Sequence, residues 1–348
     1  MATLCAILIC MSRSSVLTFT DKGIYCPAGD FYLDPWRPVD RAVISHAHSD
    51  HARFGHRHYL ATPQSAPVMR HRLGNIALDT LPYGETCQIG DATVSLHPAG
   101  HVPGSAQIRV EVDGEVWVFS GDYKPEPDGF CEAFEPQRCH AFISECTFGL
   151  PVFNWQPQQM VMDEINSWWA ANRDEGRFSL LAAYSFGKAQ RLLAQVDPSI
   201  GPILTHGAVE ATNTILRQIG YHLPDTVQVT ADLDPNAYKG ALVIAPPSAI
   251  GSAWAKRFKP AQTAMASGWM RLRGIRRRRA MDRGFALSDH ADWQGLNDSI
   301  RATGAERIFV THGYTDVFSR WLTDQGYDAS IVATEYSDDS LEQAEVAE

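Results

Sequence analysis

A short apolar run, Ala42–Ser45, leads into His46-Ala47-His48-Ser49-Asp50-His51. Few features constrain a chain more. Four imidazole and carboxylate donors in six residues call for a cation, and a cation calls for further donors from elsewhere in the chain. In extended backbone His46 and His48 project to the same side, since side chains repeat every two residues. A turn then brings Asp50 and His51 to a second position close by. Four ligands this near together serve two adjacent ions, provided that distant segments complete each shell. Four more strand-like runs end in groups of this kind: Thr93–Leu96 leads to His101, Val116–Ser120 to Asp122, Phe285–Ser288 to Asp289-His290, and Ile308–Thr311 to His312. Functional side chains tend to collect where strands end and loops converge, and five such coincidences are hard to dismiss. A surface loop of solvated histidines is the bland alternative, and it leaves the donor density unexplained. Mixed His/Asp ligation reads as catalytic more than structural.

The texture around these motifs changes along the chain. Phe31–Leu33, Ala42–Ile44, Thr93–Leu96, Ala106–Val112, Val116–Phe119 and Ala141–Ile143 read as strands with few helices between them. From about Trp155 the order becomes helix Gln158–Asn172, strand Ser179–Ala183, helix Gly187–Val196, strand Ile203–Leu204, helix Ala208–Gly220 and strand Ala241–Ala245. Strands alternating with helices at this spacing predict a small parallel α/β unit. After Gly284 the first texture returns, with Phe285–Leu287 and Arg307–Val310 as strands around a helix at Asp292–Thr303. The expected class is α/β, one domain interrupted by another: 11–154, then an insertion at 155–270, then 271–336, closed by an acidic tail at 337–348.

Composition narrows the function. The formal net charge is −10 over 348 residues, which excludes holding nucleic acid by overall charge, because phosphate neutralisation is what gives such complexes their affinity. One local exception stands out: Arg271, Arg273, Arg276, Arg277, Arg278 and Arg279 crowd a short stretch. Seven scattered cysteines without a CxxC spacing fit a reducing cytoplasm better than a disulfide framework. The apolar run Ala2–Cys10 is nine residues long with no basic residue before it. It falls short of a signal peptide, and a spanning helix needs ~20 residues. Met11 reads as an alternative start. The expectation is a cytoplasmic protein with no membrane segment.

His46-x-His48-x-Asp50-His51, His101 in Ala-Gly-His and Asp122 in Ser-Gly-Asp together resemble the metallo-β-lactamase superfamily, an αββα sandwich. Asp34, after Phe31-Tyr32-Leu33, resembles its early aspartate, which supports the metal loop. The α/β stretch after Glu145 resembles the β-CASP insertion of the superfamily's nucleic-acid-cleaving branch. Motif A of that branch fits Glu145, motif B His290 and motif C His312. Within it, Tyr25–Phe31, Asp34-Pro35-Trp36-Arg37-Pro38, Ser267-Gly268-Trp269-Met270, Arg276–Arg279 and Leu287–Trp293 are similar to the bacterial ligase-associated DNA exonuclease family. The resemblance covers roughly Gly23 to Thr334.

The resemblance implies that one divalent ion takes His46, His48 and His101. The other takes Asp50, His51 and His312, and Asp122 bridges the pair. The ions are expected to be zinc, with manganese the alternative. Two such ions ~3.5–4 Å apart share a hydroxide that attacks phosphorus, and His290, oriented by Glu145, protonates the departing sugar oxygen. Asp122, Glu145 and His290 are thus the catalytic set. For the substrate phosphates, Ser185-Phe-Gly187-Lys188 opens a helix after a strand, where backbone N–H groups and the positive helix end favour anions; Gln190 is a helper. Ser267-Gly268 lets backbone approach a phosphate closely, and Arg276, Arg277, Arg278 and Arg279 track the DNA. The plain alternatives are an ordinary strand-to-helix turn and a solvated charge run.

The implied function is a two-metal DNA exonuclease in repair, beside an ATP-dependent ligase and a helicase. An RNA-processing β-CASP nuclease is the rival, favoured by His312 at motif C. A small-molecule metallo-hydrolase needs neither the insertion nor the arginines. A non-catalytic scaffold would not need all seven ligands.

Overall fold

A computed structural model describes residues 15–278 and 281–332, arranged around three sheets. The first has six strands in chain order: Thr18–Phe19, Ile24–Cys26, Phe31–Leu33, Arg41–Val43, His58–Ala61 and Leu78–Thr80. The second has seven, ordered Asp328–Ile331, Arg307–Gly313, Ala141–Cys146, Glu115–Phe119, Ala106–Val112, Ala92–Pro98 and Thr86–Ile89. These two sheets pack face to face. Phe31, Leu33 and Val43 of the first meet Val94, Leu96, Ile108, Val110, Trp117 and Phe119 of the second in one buried cluster. The alternation of the strands explains the layer: in Ala106–Val112, Ile108 and Val110 share the inner face and their neighbours take the other.

Helices cover the outer faces. Ala66–Leu73 packs on Ala42, Ile44 and Tyr59; Trp293–Thr303 and Thr315–Asp324 pack on Phe142, Ile308 and Val310. The layers run helix, sheet, sheet, helix, a mixed α/β arrangement.

The third sheet is parallel throughout, ordered Val227–Gln228, Ile203–Thr205, Leu242–Ala245, Phe178–Ala182, Ala261–Ala266 and Arg283–Phe285. Helix Gln158–Asp174 lays Val161, Ile165, Trp168 and Trp169 on one face of it. Both indole N–H groups are satisfied there, Trp168 by Gln262 Oε1 and Trp169 by the Gly240 carbonyl, each at 2.9 Å. They are packing residues.

One expectation changes. Arg283–Phe285 pairs in parallel with Ala264–Ala266, so the parallel sheet reaches Phe285 and the expected boundary at 270 falls inside it. A three-residue strand carries no mark of which sheet will accept it. Residues 1–10 and the tail at 337–348 lie outside the described residues. No described helix is long and apolar enough to cross a membrane.

Candidate metal centre

The strand Arg41–Val43 lies between Phe31–Leu33 and His58–Ala61, and its end is tied to the second sheet where Ala106 N–H donates to the Ser45 carbonyl (2.8 Å). The chain then curls: His51 and Ala52 N–H both reach the His48 carbonyl (3.3 and 2.8 Å), which folds Asp50 and His51 back beside His46. Asp34 stands behind this turn. Its carboxylate accepts from Ser45 N–H (2.7 Å), from His51 Nδ1 (2.6 Å) and from Ser45 Oγ.

The other segments arrive at the same place. Gly100, at φ +77°, admits His101 in a turn where any Cβ would sit 2.3 Å from the Lys124 carbonyl oxygen. Asp122 follows the strand Glu115–Phe119, and Glu145 lies in the fully buried strand Ala141–Cys146. His312 adopts φ +52° near the end of Arg307–Gly313, a left-handed conformation that costs a non-glycine residue and is found at constrained sites. The donor atoms of His46, His48, His101 and Asp122 lie within 4.8 Å of one another, as do those of Asp50, His51 and His312, and those of Asp122, Glu145 and His290.

Outer hydrogen bonds fix which nitrogen faces inward, as they do for metal-binding imidazoles. His48 Nε2 donates to the Phe186 carbonyl (3.2 Å) and His101 Nδ1 to the Asp289 carbonyl (2.9 Å). Ser45 Oγ gives its proton to Asp34 and so accepts from His46 Nδ1 (3.0 Å). The inward atoms are therefore lone pairs: His46 Nε2 and His101 Nε2 each lie 3.1 Å from His48 Nδ1. Three lone pairs at that spacing repel unless a cation sits among them. Among the described residues His51 Nε2 is buried with no hydrogen-bond partner, 3.3 Å from Asp122 Oδ2 and 3.6 Å from Asp50 Oδ2.

Electrostatics agree. Burial holds His46 and His101 well below the ordinary histidine value, reinforced by the neighbouring imidazoles, and His312 is lowered for the same reasons. Burial would also lower His51, but Asp122 and Asp50 outweigh it and pull the ring well above its usual value. The carboxylates demand positive charge at that point, and a divalent ion answers the demand as a proton does. The residues fit two metal ions.

Beside this cluster, His290 Nδ1 is held by both oxygens of Glu145 (2.9 and 3.0 Å), and its ring lies 4.5 Å, centroid to centroid, from His101. Glu145 is itself fixed by Tyr123 N–H (2.9 Å). A cavity of about 370 Å³ opens against His290, walled by Trp155, Pro125 and Pro157.

The expected phosphate contacts fare differently. Lys188 is buried, and its Nζ pairs with Asp289 Oδ2 at 2.7 Å; Gly187 N–H is taken by Gln190 Oε1 (2.9 Å). Both groups are directed at protein partners in this arrangement, as a buried ammonium has to find a carboxylate. Ser185 Oγ is buried with no hydrogen-bond partner among the described residues. Ser267 Oγ accepts from Trp269 N–H (3.3 Å), and Gly268 packs against Phe148. Arg277 is exposed on the helix Arg273–Arg278. The side chains of Arg276 and Arg278, and all of Arg279, lie outside what is described. Sequence reasoning missed Arg191 and Asp128. Arg191 lies in an ordinary helix pattern, and nothing local marks it as buried.

No family model matches the chain. It is 33% identical over 311 residues, 88% of its length, to a probable DNA ligase from Opitutus terrae, of which it spans 30%. It is 30% identical over 126 residues to Endoribonuclease YSH1 of Yarrowia lipolytica, covering 34% of this chain and 14% of that one. An RNase J-like protein of Methanocaldococcus jannaschii is 24% identical over 246 residues, 59% of this chain and 56% of that one. These relatives support the metallo-β-lactamase superfamily. Two of these relatives are named as ribonucleases. A crystal structure of a protein of unknown function from Enterococcus faecalis V583 shares the fold, with a TM-score of 0.60 over 85% of this chain and 79% of that one at 10% identity.

Proposed function

We propose that the chain is a two-metal phosphodiesterase that degrades DNA from an end during repair. The carrying observation is the convergence of His46, His48, His101, Asp122, Asp50, His51 and His312 into two donor groups, with a carboxylate-held His290 alongside. Zinc or manganese ions bound there would supply Lewis acidity toward the phosphate and a lowered water pKa. The chain's own residues do the rest. Asp34 sets the tautomer of His51, Glu145 holds His290 Nδ1, and His290 gives the proton from its other nitrogen to the departing sugar oxygen. The arginine helix is anchored by Ile275 in a cluster containing Phe148, whose ring meets His290 at 5.9 Å. Arg277, exposed on that helix, is the described arginine of the run that would meet the strand carrying the leaving oxygen.

DNA is favoured by the likeness to a probable DNA ligase, which extends over most of this chain and less than a third of that one. In this reading an ATP-dependent ligase would work beside the nuclease, with a helicase to expose the strand. An RNA substrate is the second reading, favoured by the relatives named as ribonucleases.

Matched end-labelled DNA and RNA strands, with and without a 5′-phosphate, test both readings when incubated with zinc or manganese. The expected result is stepwise loss of nucleotides from DNA, abolished by chelation and by Asp122→Ala, which also lowers bound metal. Faster loss from RNA selects the second reading. Full turnover by the Asp122→Ala protein, or no cleavage of any strand, defeats the proposal.

A further inference from the structure

We infer that Arg191 is a positioning residue for the metal ligand His101, so that the parallel-sheet unit completes the metal centre. The inference rests on the metal reading above. Arg191 projects from the helix Lys188–Leu193 and is wholly buried. Its Nη2 donates to the carbonyls of His101 (2.8 Å) and Gly100 (3.2 Å); Nη1 meets Asp289 Oδ1, and Nε meets Asp128 Oδ2. Asp289 in turn lends its main-chain carbonyl to His101 Nδ1 (2.9 Å), the bond that turns His101 Nε2 inward. One guanidinium therefore holds His101 twice, by its own carbonyl and through the residue that sets its tautomer. Lys188, a turn earlier, holds the other Asp289 oxygen at 2.7 Å. Phe186, just ahead of the same helix, accepts from His48 Nε2 at 3.2 Å. A six-residue stretch, 186–191, thus reaches two of the three histidines that surround one ion position.

Stability alone does not account for this cluster. Buried ion pairs roughly break even against apolar side chains of similar volume, because desolvation offsets their attraction. A guanidinium does offer what an apolar group lacks, a planar fork of donors with fixed directions. Outer partners that orient a ligand typically change metal affinity by about 10–100-fold when removed.

The full chain, stripped of metal, is titrated with zinc, and separately with manganese, against a chromophoric chelator. Arg191→Lys keeps a positive charge for Asp289 but loses the fork; Arg191→Met loses both. Arg217→Met, which breaks a pair with Glu210 inside the parallel-sheet unit, is the control. Thermal unfolding of each metal-free protein is followed in parallel. The expected result is a folded Arg191→Lys protein whose tightest zinc site is weakened about 10-fold or more, with the control unchanged. Wild-type zinc affinity in a folded Arg191→Lys protein overturns the inference. Loss of folding in both Arg191 variants overturns it too, by assigning Arg191 a structural role. A wild-type chain that binds neither zinc nor manganese defeats the metal reading itself.

Discussion

His290 illustrates how surroundings choose between two roles for one imidazole. Its donor atom lies close enough to those of Asp122 and Glu145 to join an ion, yet Nδ1 is committed to the Glu145 carboxylate. An oriented acid is expected to contribute about 10²–10⁴-fold in rate. His290→Ala should therefore slow cleavage by that order while elemental analysis finds wild-type metal content; a loss of metal would make His290 a ligand. Asp289, next to it, answers to stability. It is buried, and burial alone would raise its carboxyl, but Lys188 and Arg191 hold it far below the usual carboxylate range. A depressed carboxyl stabilises the fold above the unfolded value of about 4 and loses that contribution as pH falls below it. Asp289→Asn leaves two buried cations short of a partner, which costs about 3–5 kcal/mol near neutrality. Urea unfolding should show that deficit at pH 7 and a shrinking one below pH ~4; a deficit that persists in acid would mean packing, not charge, is at fault.

At the scale of elements, the strand ends were legible and the loops that face them were not. Apolar runs stopping at His46, His101, Asp122, His290 and His312 are local patterns, and each does end at the centre. The segment Ser185–Lys188 carries the same strand-to-helix signature as a phosphate cradle, but its groups turn toward the protein: Phe186 to His48, Gln190 to Gly187, Lys188 to Asp289. Gly187 makes this approach feasible. It sits at φ +88°, and a Cβ there would lie 2.3 Å from Val102 Cγ1 and 3.8 Å from His48 Nε2. Gly187→Ala should push the loop away from His48. Overpacking of this kind costs about 1–3 kcal/mol, and loss of the outer hydrogen bond should weaken zinc binding about 10-fold. Chelator competition with a urea midpoint separates the two effects, and unchanged zinc affinity would release Phe186 from its role.

For the whole molecule, the charge of −10 means that a polynucleotide must be met by local basic groups. Replacing Arg276, Arg277, Arg278 and Arg279 by Gln should weaken DNA binding and flatten its salt dependence. The log–log slope should fall by up to about 0.7 for each single-strand phosphate no longer neutralised. An unchanged slope would return that run to a solvated face. The chain by itself determined the α/β class, the clustering of imidazole and carboxylate donors and the two textures, because donors at strand ends and apolar periodicity are written in neighbouring residues. Only the tertiary structure decided that Arg283–Phe285 joins the parallel sheet, that Lys188 pairs with a carboxylate 101 residues away, and that Arg191 reaches across 90 residues to the His101 carbonyl. Those pairings depend on which surfaces meet, and a short strand or one cation in a helix has no local pattern to announce its partner. The clustered donors were therefore legible along the chain, while the groups that hold them in place became visible only once the sheets had packed.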